Sequence, residues 1–192
     1  MAALSRRGRE VRLLSAPGAP GAECDLRRYG EALGETLGHG GDAVLVGVSV
    51  GCQAAGVAAA SAGVGHLVLV SPTVDPRVRS WPALTGAWLR GTTMEPPRLG
   101  LEQVPDWRRA GARRLRDVMR SALQVQLEDV LLTVDAPVTV VHGERDRITS
   151  HSYAAMLAAA PGRQLVVVPG ATHSWPYAGE DAFADLLEKI LR

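Results

Sequence analysis

"DAVLVGVSVGCQAAGVAAA", residues 42–60, decides how the rest of the chain is read. The run Ala43-Val44-Leu45-Val46 is short, apolar and β-branched, as a buried strand is. It stops at Gly47. After Val48-Ser49-Val50-Gly51 comes an alanine-rich stretch with strong helix formers. A strand that passes into a helix through one serine flanked by glycines marks a tight βα turn, with the serine at its tip.

Four further runs have the same strand character: Val11-Arg12-Leu13-Leu14, His66-Leu67-Val68-Leu69-Val70, Val138-Thr139-Val140-Val141, and Gln164 to Val168 before Pro169. Helical patterns over Asp25–Leu37, Gln53–Ser61, Ser152–Ala160 and Ala182–Leu191 separate them. Strands alternating with helices predict an α/β fold with a mostly parallel central sheet and helices on both faces. Residues 73–135 break this alternation. They hold Trp81, Trp88 and Trp107, several prolines, and an arginine-rich helical stretch from Asp106 to Leu132. The expectation is one domain over 1–192, with 1–72 and 136–192 as core and 73–135 as a helical cap over the carboxyl edge of the sheet. Arg108, Arg109, Arg113, Arg114, Arg116 and Arg120 are expected to face water.

The bulk properties narrow the function. The chain has 192 residues, 46% hydrophobic and 21% charged, with a net charge of +1. Nothing here recruits nucleic acid or an anionic membrane. No apolar run approaches the ~20 residues of a membrane helix. Ser5-Arg6-Arg7 is not followed by an export signal's apolar region. Cys24 and Cys52 form neither a disulfide framework nor a metal-ligand pattern, so a reduced, cytoplasmic protein is expected. No metal or organic cofactor is implied. The loop "LGHGGD", residues 37–42, precedes a strand instead of following one, so it is no dinucleotide loop, and His39 sits within it.

A serine hydroxyl is a poor nucleophile without exposure, a base, and donors for the developing oxyanion. The βα turn supplies exposure and one donor, at a helix start that favours negative charge. Gly47-Val48-Ser49-Val50-Gly51 matches G-x-S-x-G in that strand–turn–helix context. The motif requires an acid and then a histidine further along the chain. Asp146 follows the Val138 strand in "APVTVVHGERDRITS", and His173 follows the Val166–Val168 strand in "VVVPGATHSWPY". Both lie beyond carboxyl ends of strands, on the edge that carries Ser49. Asp75, after the His66–Val70 strand, is the second candidate for the acid. His142 near a strand end is read as core or site lining, and Cys52 as a small buried residue.

"GVSVG", "HLVLVSPTVDP", "PVTVVHGERDRIT" and "VVVPGATH" occur in the order and spacing of the α/β-hydrolase family. The chain resembles its small, cap-bearing members common in actinobacteria. The resemblance implies Ser49 as nucleophile, His173 as general base, Asp146 as the carboxylate orienting the imidazole, and Val50 N–H as oxyanion donor. It also implies residues 73–135 as the cap over the substrate pocket. The implied substrate is a small-molecule ester, thioester or related apolar compound.

The amino end departs from the pattern. Family members place about three more strands and a His-Gly loop, source of the second oxyanion N–H, before the first segment seen here. A late recorded start or a fragment, a natural short form, or a decayed relative would each account for this. Without the family's third strand, the Val44 strand either has an unpaired edge or pairs with Val11–Leu14. An exposed edge would invite homodimerisation. Three functions follow: a serine hydrolase impaired by the missing loop, a non-catalytic small-molecule binding relative, or an acyl-transfer or cyclisation enzyme. Trp81, Trp88, Trp107 and Met94 either line an apolar pocket or pack the cap onto the core.

Overall fold

Four of the five apolar runs form strands: β1 (Val44–Val48), β2 (His66–Val70), β3 (Val138–Gly143) and β4 (Arg163–Val168). In the computed structural model, which describes residues 2–38, 41–95 and 97–192, they make one parallel sheet in the order β1-β2-β3-β4. His39 lies outside the described residues. Strand alternation sends successive side chains to opposite faces. Leu45, Leu67, Leu69, Val138 and Val140 pack on one face against α3 (Gly51–Ser61), α7 (Leu127–Val130) and α8 (His151–Leu157). Val68, Val70 and Val141 pack on the other, against Trp175 of α9 (Trp175–Ala178) and Phe183 and Leu187 of α10 (Glu180–Ile190). Leu4 of α1 (Ala2–Arg6) joins that second layer. The sheet is therefore covered on both faces, as its near-continuous apolar strands require. Each wholly buried leucine, such as Leu67 or Leu69, stabilises this arrangement by about 1.5–3 kcal/mol.

Val11–Leu14 is the strand expectation that fails. It runs as irregular chain, with Leu13 73% and Leu14 50% exposed. Four residues followed by Pro17 and Pro20 have no ladder partner among the described residues, and apolar character alone does not make a strand. The segment instead borders a groove of about 840 Å³ that runs beside β1 to α10. Among the described residues β1 is bonded to β2 alone, so its other edge carries no ladder.

The remaining helices are α2 (Leu26–Leu37), α4 (Trp81–Thr92), α5 (Pro97–Ala110) and α6 (Ala112–Gln124). Asp25 caps α2, its Oδ1 accepting from the amides of Arg27 at 2.9 Å and Arg28 at 3.1 Å. The helical stretch expected over Asp106–Leu132 is helical and divided into parts of three helices. Gly111, at φ 80°, separates α5 from α6, and extended Val125 and Gln126 separate α6 from α7. Arg114 also departs from expectation. Its guanidinium donates to the carbonyls of Gly18 and Ala19 at 2.9 Å each, and to that of Ala22. It thereby ties the 18–22 loop to α6, while its five arginine neighbours are exposed. Among the described residues no helix is long and apolar enough to cross a membrane.

One ion pair anchors the segment after β2. Arg79 meets Glu128 through both terminal guanidinium nitrogens, at 2.8 and 2.9 Å, and donates to the Val74 carbonyl at 2.9 Å. Tyr153 of α8 donates to the same carboxylate at 3.2 Å. Burial works to raise the Glu128 pKa, but the Arg79 bonds and charge outweigh it and hold the carboxyl below its usual range. A carboxyl depressed on folding stabilises the fold above its unfolded value and loses that contribution as pH falls through the folded one. The side chains are 17% and 21% exposed, so removing one partner leaves a partly buried, unpaired charge. Arg79→Ala is expected to cost about 2 kcal/mol at neutral pH and to flatten the stability loss below about pH 4.5. Urea unfolding at pH 7 and pH 4 reads both.

Candidate active site

Ser49 lies where β1 turns into α3. Its backbone sits at φ 53°, the left-handed region that a non-glycine residue occupies at a cost of about 1–3 kcal/mol. The Ser49 N–H is bonded to the Val70 carbonyl at 2.9 Å, continuing the β1–β2 ladder into the turn and fixing the strained residue. Val50 follows in helical geometry, φ −57° and ψ −30°, as the N-cap of α3. Its amide belongs to the first turn of a helix, where N–H groups lack carbonyl partners one turn earlier.

The two glycines of the turn do different work. A Cβ on Gly47 would lie 2.7 Å from Cys52 Cα, 2.8 Å from Gly51 O and 2.9 Å from Ala55 Cβ. The strand can approach α3 this closely only with glycine there. A Cβ on Gly51 would meet nothing within 4 Å, so of the two flanking glycines only Gly47 is required by crowding. Gly47→Ala is expected to destabilise by about 1–3 kcal/mol or more, since backbone must move. Gly51→Ala is expected to be neutral, or stabilising by up to about 1 kcal/mol. Paired thermal melts check this contrast.

Asp146 and His173 converge on the serine from two neighbouring strands. The Asp146 N–H is bonded to Gly143 O at 2.9 Å in the turn after β3. Its Oδ1 accepts from the amides of Ile148 at 2.8 Å and Thr149 at 2.9 Å, leaving Oδ2 for His173 Nδ1 at 2.9 Å. Burial pushes the Asp146 pKa up, but the His173 bond and charge and the two amides outweigh it, and the carboxyl is held below its usual range. A carboxylate only accepts, so Nδ1 carries the proton. Nε2 is then an acceptor, and it lies 2.9 Å from Ser49 Oγ. The structure thus brings Ser49, His173 and Asp146 into one hydrogen-bonded chain, with His173 and Asp146 both buried.

The loop that carries His173 is held from two sides. Arg145 N–H donates to Ala171 O at 2.8 Å, Gly170 N–H donates to Glu144 Oε2 at 2.7 Å, and Gly143 packs against the 171–172 backbone. From the other side comes Glu95, which follows α4. It accepts from the Thr172 hydroxyl and the Ser174 amide, each at 3.0 Å. Sequence reading missed Glu95, Thr172 and Ser174, since a bond spanning 77 or 79 residues leaves no local pattern.

The other candidates are engaged elsewhere. Asp75 accepts from Arg77 N at 2.9 Å, from Ser150 N at 3.3 Å and from the Ser150 hydroxyl. It joins the segment after β2 to the start of α8, while the bond to His173 belongs to Asp146. His142 is 2% exposed, and burial holds its pKa down. Cys52 is buried, its thiol directed at the carbonyls of Gly47 and Val70, and burial pushes its pKa up.

A cavity of about 450 Å³ opens over Ser49 and His173. One face of α4 lines it with Trp81, Leu84, Thr85, Trp88 and Thr92, at helical spacing. Trp107 of α5 and Tyr177 of α9 add to the wall. Trp88 and Trp107 pack together with ring centroids 5.8 Å apart and ring planes tilted by 57°. The three tryptophans therefore line the cavity, and Met94 is not among the lining residues. The position, beyond the carboxyl ends of parallel strands, is the usual one for a ligand crevice in an open α/β sheet.

Known proteins agree with this architecture. An esterase from Rhodococcus sp. ECU1013 superposes with a TM-score of 0.67 at 19% identity, covering 99% of this chain and 83% of that one. A hydrolase from Oleispira antarctica does so with a TM-score of 0.73 at 14% identity, covering 87% of this chain and 72% of that one. An N-acyl homoserine lactone degrading enzyme gives 0.64 at 18% identity, covering 86% and 74%. At these identities the likeness is one of fold. No curated protein matches the sequence. The sequence does match the alpha/beta hydrolase family over residues 1–186, nearly its whole length, and the chain belongs to that family.

Proposed function

We propose that the protein is a serine hydrolase that cleaves a carboxylic ester or thioester through an acyl-enzyme on Ser49. One observation carries this reading. A single imidazole spans Asp146 and Ser49, 2.9 Å from each, with the proton required on the Asp146 side. His173 Nε2 takes the Ser49 proton as Oγ attacks the substrate carbonyl. Asp146 holds the tautomer and stabilises the imidazolium that forms. The Val50 N–H donates to the oxyanion. Collapse expels the alcohol or thiol, protonated by His173, and water then repeats the sequence to release the acid. The esterase among the structural neighbours supports an ester as substrate, and the tryptophan-lined cavity supports an apolar acyl or ring component.

Intact-mass spectrometry after treatment with a fluorophosphonate tests the proposal. The wild-type chain gains one adduct and the Ser49→Ala variant gains none. An unlabelled, folded wild-type protein would favour the non-catalytic reading.

A further inference from the structure

Among the described residues that line the cavity over Ser49, Glu95 is the one carboxylate and none is lysine or arginine. The ion pairs formed among the described residues do not involve Glu95. Its oxygens are held by the Thr172 hydroxyl and the Ser174 amide, both at 3.0 Å, so the group is fixed in place before any ligand arrives. Both donors are neutral groups, so they bring no counter-charge to the carboxylate. The same cavity is walled by Trp81, Trp88, Trp107 and Tyr177, whose π faces also present negative potential.

Three substrate classes fare differently in such a cavity. An anionic one meets Glu95 with no counter-charge. A neutral apolar one displaces water from around Glu95 and leaves that charge less solvated and still unpaired, which is costly. A cationic one compensates the carboxylate and gains attraction from the aromatic faces. We propose that the cavity selects a substrate bearing a positively charged alkylammonium group, seated between the tryptophan wall and Glu95. Glu95 is then a specificity-determining residue. The proposal rests on the hydrolase reading only for the claim that the bound molecule is turned over.

Binding of matched probes tests it. Choline and its neutral carbon isostere, 3,3-dimethyl-1-butanol, have nearly the same shape and differ in charge. Isothermal titration of the intact chain is expected to give choline the lower Kd by about tenfold or more, a difference of about 1.4 kcal/mol. The anion 3,3-dimethylbutyrate is expected to bind most weakly of the three. Glu95→Gln keeps an acceptor for the Ser174 amide and removes the charge, and should cut the choline preference to about threefold or less. Glu95→Asp keeps the charge and should keep most of the preference. Melting temperatures establish that each variant is folded. Equal affinities in the wild type, a tighter neutral alcohol, no binding of either probe, or an undiminished preference in folded Glu95→Gln would each overturn the proposal. The wild-type comparison decides even if a variant fails to fold. These constants are read whether or not Ser49 reacts. A choline preference without a fluorophosphonate adduct keeps the cation site and removes the hydrolase; an adduct without the preference does the reverse.

Discussion

Ser49→Ala is expected to lower kcat for an activated ester by about 10⁵–10⁶, with little change in stability. On the proposed mechanism, removing Oγ removes the atom that forms the acyl-enzyme, and nothing else in the hydrogen-bonded chain can replace it. Asp146 and the two amides that hold it are untouched, so His173 keeps its Nδ1 bond. The lost Ser49–His173 hydrogen bond is worth about 1 kcal/mol. Alanine also inherits the left-handed backbone at φ 53°, so the strain of the turn is unchanged. Ser49→Gly should lose activity equally but gain about 1 kcal/mol by relieving that strain. A p-nitrophenyl ester assay and thermal melts on the same preparations measure both quantities. Retention of most of the activity in Ser49→Ala would sink the proposed mechanism.

The parts of this site that could be read in the sequence share a property: each is announced by its immediate neighbours. Ser49 follows an apolar run and precedes a helix former; Asp146 and His173 follow apolar runs of their own. A strand's carboxyl end is a local signal, and a parallel sheet brings such ends to one edge. The layering was legible for the same reason, since the alternation of Leu67, Val68, Leu69 and Val70 assigns each to a face. What escaped depends on partners far along the chain. Val11–Leu14 has strand composition, but strand formation needs an adjacent edge, which composition does not report. Arg114 is one of six similar arginines, and only the carbonyls of the 18–22 loop distinguish it. Glu95 sits between two helices in a segment with no motif, yet it meets the residues on both sides of His173. The break at Gly111 was visible as a glycine, but its positive φ was not.

Asp146→Asn separates the role of the acid from that of the fold. The asparagine carbonyl oxygen can still accept from the Ile148 and Thr149 amides, at present 2.8 and 2.9 Å away, so the turn is expected to persist. Its NH₂ group then faces His173 Nδ1, which must become an acceptor. The ring proton moves to Nε2, where it faces Ser49 Oγ and cannot take the serine proton. The expected result is a fall in kcat of about 10⁴ with an intact structure. Stability should respond to pH in a defined sense. The folded-state Asp146 pKa lies below its ordinary value, so the wild-type carboxylate contributes stability above about pH 4–5 that is lost as pH falls further. Asparagine has no such titration, so the two proteins should converge in stability in acid and differ most near neutrality. Asp75→Asn is the control. Asp75 bonds Arg77 and Ser150 and not His173, so its loss should lower the melting temperature while leaving kcat within a few-fold. If the large loss of turnover instead followed Asp75→Asn, the 2.9 Å contact between Asp146 and His173 would not be the one that orients the base.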